Sequence, residues 1–511
     1  MSENDSIAPS QYGGLGALNK FQVILKNVDS TISIDITHNI IDFSIYEDIF
    51  SPTLYGDVTI KDATNLLNGA VQLGNNDGFP IVGEEYIEVS YSILGQTPIF
   101  RRFAVYSIKN IEIDKNLKVR NYILQFCSEE QLLDAITLVQ KSYISPISLM
   151  AKDILDNYLK VNAISKNGKR KKKYRIQPTK GQQQIVVPRL SPIETLNFLA
   201  KRSIAEKDFT SGTYLFFENK NGFNFCDIEY LIQAGRQQRT ANVETYTYKY
   251  QNVTAGENSE TNAYKSLMNM KQLHKFDTIE KLKRGYFESE AIVYNLVDRS
   301  LSTSTYKFLD NYTKSNALGN PSVGTNLVYP ENSLDFIRTV TQDPSKQVKK
   351  FGIFNTEVES PGKHTKTFFI PQNVPDSKNS LDTHLGDIYT NRAAYMTRLA
   401  QNMYTADVYG DTSIGAGDLI CIQIPDIVGT TLKESEDKFM SGYFLITTIH
   451  HKFTPHSYLC TYDLFKNGFS APVISTITDD TPMPANFNSG SAIKLDAITN
   501  NDIKSEIMSN D

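Results

Sequence analysis

His450, His451, His456 and Cys460 fall within one short stretch, LITTIHHKFTPHSYLCTYDLF, residues 445–465. Imidazole nitrogens and a thiolate are the donors zinc prefers, so the first chemistry to test is a metal site. The same stretch alternates apolar and polar residues, which is the signature of a strand pair. With a hairpin turn at Thr454-Pro455, His451 lies opposite Tyr458. It then shares a face with Tyr443, Leu445, Ile449, Cys460, Tyr462 and Leu464, while His450 points the other way with Thr448, Lys452 and Asp463. Adjacent histidines on opposite faces of a regular strand cannot bind one ion. His451 and His456 remain as diagonal neighbours roughly 7–8 Å apart, and two ligands without a nearby carboxylate make a poor zinc site. The histidines read as packing residues. pH-sensitive packing stays open, because histidine titrates near neutrality.

Other candidates are weaker. LGNNDGFPIVGE places Asn75, Asp77, Gly78 and Glu84 at four positions of a calcium loop, but Leu73 stands where the first ligand belongs and a strand follows, so a plain turn is expected. KRKKKYR, Lys169 to Arg175, is the densest charge run. A solvated loop is its ordinary fate, with contact to an acidic protein or to phosphate groups as alternatives. Only Tyr174 is interleaved in the run, which gives single-strand stacking little support. GxSxG, HExxH and GxxxxGK[ST] are absent, and Gly13, Gly14 and Gly16 fail the dinucleotide pattern. Glu84-Glu85 and Glu129-Glu130 are adjacent pairs, not a spaced acid and base. The expectation is a protein without catalytic residues, cofactor or metal.

Composition bounds the elements that carry these residues. The chain has 511 residues, 40% hydrophobic and 21% charged, with 28 Tyr, 27 Phe and no Trp. That balance predicts an ordered protein of several domains leaning toward β structure. A net charge of −5 argues against a dedicated nucleic-acid binder. Cys127, Cys226, Cys421 and Cys460 are widely spaced and read as reduced thiols. The polar N-terminus predicts no secretory signal, and no apolar run is long enough for a membrane span.

Residues 1–17 read as a flexible arm. From 18 to 130, period-two segments predict a first antiparallel barrel of about six strands. Residues 131–240 change to a small α+β domain. Ser145-Pro146 and Ser191-Pro192 start two helices there, with Glu194 at a capping-box position, and a hairpin turns at Asn221-Gly222. Strands return over 241–310 and 395–469, which predicts a second barrel split by an insertion at 311–394. Residues 470–511 read as an extended tail.

The two β regions echo each other. Gly83-Glu84 leads into EYIEVSY, and Gly417-Asp418 into LICIQIP. A strand pair follows each, with Ile108 matching Ile449 and Tyr122 matching Tyr458. If the echo is a duplication, one chain carries two similar barrels and a trimer presents six.

Four segments, in this order, carry a resemblance: IYEDIFSPTLYGDVTIKDATNLL, SPIETLNFLAKRSIAEKDFTSGTYLFFENKNGFNF, YGDTSIGAGDLICIQIP and GYFLITTIHHKFTPHSYLCTYDLF. The chain resembles a baseplate hub protein of contractile-tailed bacteriophages, kin to the N-terminal part of type VI secretion spike proteins. Residues 311–380 and the tail after 470 depart from that pattern. The resemblance implies a β-rich α+β fold with two tail-tube-like antiparallel barrels, a small α+β domain and a long insertion. It also implies a non-enzymatic homotrimer in the virion baseplate, assembled in the host cytoplasm. Its partners would be the tail tube protein, the central spike protein and other baseplate proteins, with nucleic acid only passing through the channel. A glycan-degrading tail enzyme and a peripheral tail-fibre attachment protein are the alternatives.

Overall fold

The computed structural model describes residues 18–240 except 30, 65, 68–79, 94–97, 115–118, 163–171 and 207–210; 247–249; 265–307 except 275–276, 287 and 298; 348–351; 356–359; 366–372; and 385–466 except 401, 425–436, 438–439 and 455–456. Alternating apolar residues produce seven strands at the start: β1 (Leu18–Lys26), β2 (Ser33–Asp35), β3 (Ile40–Asp48), β4 (Tyr55–Asp62), β5 (Tyr86–Ile93), β6 (Ile99–Asp114) and β7 (Val119–Cys127). In β3, for example, Phe43 and Ile45 turn inward and are fully buried. These strands pair antiparallel in the order β3-β4-β7-β6-β5-β1-β2.

An α+β domain follows, with α1 (Glu129–Ile136), β8 (Ser142–Ser145), α2 (Ile147–Asp153), β9 (Tyr174–Ile176), β10 (Gln183–Val186), α3 (Pro192–Ala200), β11 (Tyr214–Asn219), β12 (Gly222–Asp227) and α4 (Ile228–Thr240). The α3 start is as expected: Ser191 accepts from the Glu194 amide, and the Glu194 carboxylate accepts from the Ser191 amide. The α2 start differs. Ser145 is held in the β8 ladder against Gln183, so it makes no cap, and the Ser148 amide donates instead to Thr179 Oγ1 at 2.9 Å. The hairpin pairs Asn219 with Gly222, which makes Lys220-Asn221 the two-residue loop. Gly222 (φ +112°) cannot carry a side chain here, because a Cβ would meet the Lys173 carbonyl at 2.1 Å.

The remaining elements are β13 (Thr247–Lys249), β14 (Leu267–His274), α5 (Thr278–Lys283), β15 (Glu288–Asn295), β16 (Ser300–Lys307), β17 (Val348–Phe351), β18 (Thr356–Glu359), β19 (Lys366–Gln372), α6 (Leu385–Leu399), β20 (Met403–Tyr409), β21 (Leu419–Gln423), β22 (Gly442–Phe453) and β23 (Tyr458–Phe465). β15 and β16 were expected in the second barrel. They pair instead with β19, from the expected insertion, because Ala291, Val293 and Ile370 close a small core against Leu385 and Tyr389 of α6.

The second large set of strands runs β14-β20-β23-β22-β21-β13. Strand for strand this repeats β3-β4-β7-β6-β5-β1, in the same chain order. Registers agree as well. The row Tyr55–Cys127–Ala104–Tyr86 is matched by Met403–Phe465–Leu445–Leu419. An extra residue bulges from β6 at Tyr106 and from β22 at Thr447, and likewise from β3 at Ile41 and β14 at Met268. The units differ at one end, where β1 meets β5 antiparallel and β13 meets β21 parallel. Ile108 and Ile449 hold matching places. Tyr122 corresponds to Cys460 rather than Tyr458, since Leu124 and Tyr462 are the residues facing the two isoleucines. Asp418 corresponds to Glu85 rather than Glu84, because their carbonyls accept from the matching amides of Ile446 and Val105.

Both units belong to one thirteen-stranded sheet, joined where β22 pairs with β3. A single apolar core runs through both and includes Leu215 and Phe217 of β11, while Met150, Ile154, Leu196 and Phe225 belong to a second core in the α+β domain.

Candidate functional site: the seam between the two units

β22 outreaches β21. β23 occupies one edge of β22, so β21 and β3 share the other, with β21 on Gly442–Leu445 and β3 on Thr448–Phe453. The histidines therefore sit where one unit meets the next. Phe453 faces Phe43 across the seam and packs on Phe21 and Tyr458, with ring centroids 5.5 and 4.3 Å away.

The hairpin register differs from the expected one by two residues. His451 faces Cys460, and Phe453 faces Tyr458, because the connection spans Thr454 to Ser457, closed by the Thr454 amide on the Ser457 carbonyl at 2.8 Å. A two-residue slip preserves which face each side chain occupies, so His451 is buried inward and His450 lies on the opposite side. His456 lies outside the described residues. The alternation breaks at the Thr447 bulge, and Phe444 to Thr447 are all buried.

Inside the sheet, His451 Nδ1 is 2.8 Å from the Tyr458 hydroxyl and 3.4 Å from Cys460 Sγ, and Nε2 is 3.7 Å from Glu47 Oε1. Burial opposes the imidazolium, but Cys460 and Glu47 more than offset it and raise the His451 pKa to about 9. Burial likewise opposes the Glu47 carboxylate. His451, Arg101 and the Ala416 amide (3.1 Å) outweigh it, and its pKa falls below the usual value. A charged pair thus bridges the two units at neutral pH. On the outer face His450 stacks on Tyr46 at 4.4 Å and meets Ser44 Oγ at 3.0 Å, and burial lowers its pKa. At neutral pH the surroundings therefore favour the charged form of His451 and the neutral form of His450.

The β11–β12 hairpin locks this junction. Asn219 Nδ2 donates to the Ala416 carbonyl at 2.9 Å, and Arg101 donates to the Lys220 carbonyl at 2.6 Å. Lys220 Nζ stands 3.9 Å from Asp418. Among the described residues, no cluster of three His, Cys, Asp or Glu is placed to hold one ion.

A second ionic knot ties the α+β domain to the first unit, and it takes Lys172 out of the solvated run. Lys172 donates to Glu130 and Glu218, each at 2.6 Å, and Glu218 also accepts from the Leu54 amide and Ser128 Oγ. Arg175 donates to Asn224, and the Tyr174 hydroxyl to Asp156. Within the described part of KRKKKYR, Lys172 and Tyr174 are partly buried in these contacts while Lys173 and Arg175 stay exposed; Lys169 to Lys171 lie outside the described residues. Of the calcium-like stretch, Leu73, Asn75, Asp77 and Gly78 also lie outside them. Glu84 is exposed, while Glu85 accepts from the Val82 and Gly83 amides at 2.7 and 2.8 Å and so closes a turn. Glu129 pairs with Arg102 at 2.9 Å.

Glu47, Glu218 and the Ala416 backbone escaped sequence reasoning. Glu47 did leave a signal, since it stands in phase with Phe43, Ile45 and Ile49, where a carboxylate must find a buried partner.

No protein-family model and no curated protein sequence matches the chain. Solved structures that it resembles in chain trace include phage-tail and type VI secretion proteins. A tail protein from Neisseria meningitidis is 12% identical over 88% of this chain and 98% of its own, with a TM-score of 0.45. A tail protein of prophage MuSo2 from Shewanella oneidensis is 10% identical over 88% and 99%, with a TM-score of 0.43. An E. coli component of the type VI secretion system, described as similar to bacteriophage T4 tail proteins, is 8% identical over 85% and 76%, with a TM-score of 0.36.

Proposed function

We propose that the protein is a structural baseplate hub of a contractile tail. Three copies form a ring of six similar β units, which meets the sixfold tail tube on one side and the threefold central spike on the other. The observation that carries this reading is the pair of units with one strand order and matching bulges, joined edge to edge by β3 and β22. A chain with two similar units lets a threefold assembly present a pseudo-sixfold face. The buried Glu47–His451 pair and the hairpin lock at Asn219 suit a part that holds shape under load rather than one that turns over substrate. The mildly acidic net charge of −5 suits a channel that passes nucleic acid without retaining it.

Mass measurement in solution and negative-stain imaging test the reading, with the spike protein added where the chain alone stays monomeric. The expected result is a trimer whose ring shows six similar lobes. A monomer in both conditions, or rings without threefold symmetry, overturns it.

A further inference from the structure

The β3–β22 seam uses one edge from each unit, and strand equivalence shows where the matching edges lie. The counterpart of β22 is β6, and that of β3 is β14. Among the described residues, no strand pairs with β6 from Ser107 to Ile113 on the side away from β7, nor with β14 on the side away from β20. We propose that a second copy of this chain docks its β14 on this open edge of β6, repeating between molecules the seam that joins the units within one. The inference deepens the hub proposal and rests on its reading that copies associate side by side.

Register follows from the internal seam. There, Lys452 faces Ser44 and Phe453 faces Phe43. Through β7 and β23, Glu112 matches Lys452 and Ile113 matches Phe453. Through β4 and β20, Lys271 matches Ser44 and Met270 matches Phe43. Glu112 of one copy therefore faces Lys271 of the next, and Ile113 faces Met270. The first is an opposite-charge cross-strand pair, and the second replaces the buried Phe43–Phe453 contact. The extra residue of β6 at Asn110-Ile111, where Asn110 has φ +52°, falls opposite Gln272.

The side chains are dressed for such a partner. Ile111 and Ile113 are 52% and 63% exposed on β6, and Met268 and Leu273 are 40% and 51% exposed on β14. Long open edges with apolar side chains invite pairing, and natural sheets normally blunt them or cover them. The two edges are different surfaces, so the contact is head-to-tail, and repetition gives a closed ring or a filament.

Disulfide trapping tests the register. Chains carrying Glu112→Cys and chains carrying Lys271→Cys are mixed under mild oxidation, with the parent chain as background for its own four cysteines. Both positions are exposed, so the fold is kept. We expect a mixed disulfide between one chain of each kind, at least tenfold above either variant alone. It should also exceed by the same factor Ile113→Cys mixed with Lys271→Cys, whose side chains leave opposite faces. A chain carrying both Glu112→Cys and Lys271→Cys should give covalent multimers that stop at three. A ladder that continues past three keeps the seam and overturns the ring. Oligomers by mass without the mixed disulfide overturn this seam and leave the hub reading standing. Absence of both, with the spike protein present, overturns the two together.

Discussion

At matching places the two β units put their bulk on opposite strands. In the first, Gly56 of β4 lies beside Phe126 of β7; in the second, Tyr404 of β20 lies beside Leu464 of β23. A Cβ on Gly56 would meet the Phe126 ring at 2.5 Å and the Ser44 carbonyl at 2.1 Å, whereas the Tyr404 ring fits against Phe444 at 5.2 Å. Strand order, register and bulges are kept while side-chain volume moves between neighbours. The exchange does not conserve volume, since Tyr404 and Leu464 together are larger than Gly56 and Phe126, so the surroundings of the two pairs must differ as well. The other contrast is at the edges: β3 seals the outer half of β22, whereas among the described residues no strand pairs with the matching part of its counterpart β6.

The sealed and open edges give the largest expected difference. Phe453→Ala empties a fully buried place between Phe21, Phe43 and Tyr458 and should cost about 3–5 kcal/mol. Ile113→Ala at the matching open place should change the stability of the isolated chain by about 0.5 kcal/mol or less. Urea unfolding of both variants checks the contrast, and equal losses would break the correspondence between β6 and β22.

The ionic pair gives the next effect. His451→Gln leaves Glu47 buried beside fewer positive charges, at a cost on the order of 3 kcal/mol at neutral pH. The sign with pH follows from the raised pKa of His451. Its stabilisation is complete below the free-histidine value of about 6.5, declines as pH rises, and is lost beyond a pKa of about 9. Glu47, whose pKa is lowered, adds stability that is present above its ordinary range and lost in acid. Melting temperature followed from pH 6 to 10 should fall for the parent chain and stay flatter for His451→Gln. Parallel curves would remove the pair from the account of the seam.

The β-rich class was legible because alternation is a local signal, and the α3 cap because Ser191, Pro192 and Glu194 are neighbours in sequence. Opposite faces for His450 and His451 were legible for the same reason, and they survived a register error of two residues because parity did. The seam was not legible. Its partners, Glu47 and His451, are far apart in the chain, and nothing local tells β22 which strand will cover its outer half. Lys172 was misread for a related reason: a charge run looks solvated until Glu130 and Glu218 arrive from other elements. β15 and β16 have strand patterns that fit either sheet, and only the α6 face decides between them.

The Gly56 contrast predicts a smaller but more discriminating loss. Gly56→Ala should destabilise the chain by about 1–3 kcal/mol through overpacking. Phe126→Leu, which copies the second unit's choice at that place, should not rescue it, because the nearer obstacle is the Ser44 backbone carbonyl rather than the ring. A rescue in thermal unfolding would show that side-chain volume alone sets the exchange.

Smallest of all is an effect the two units should share. Gly83 and Gly417 precede the matching strands β5 and β21 with φ of +100° and +90°. A Cβ on Gly83 would meet nothing within 4 Å, and one on Gly417 would meet only Leu231 and Phe217 at ordinary contact distance. Backbone strain, not crowding, is therefore the common cost, and alanine at either should lose about 1–2 kcal/mol. Asp418 and Glu85 each fold a carboxylate back on the preceding turn, through the amide of Gly415 in one case and those of Val82 and Gly83 in the other. The turns are thus held by the same device one residue out of step. Similar losses from Gly83→Ala and Gly417→Ala would support a shared constraint at the strand entry. A large loss at one glycine alone would mean that its turn carries a load the other does not.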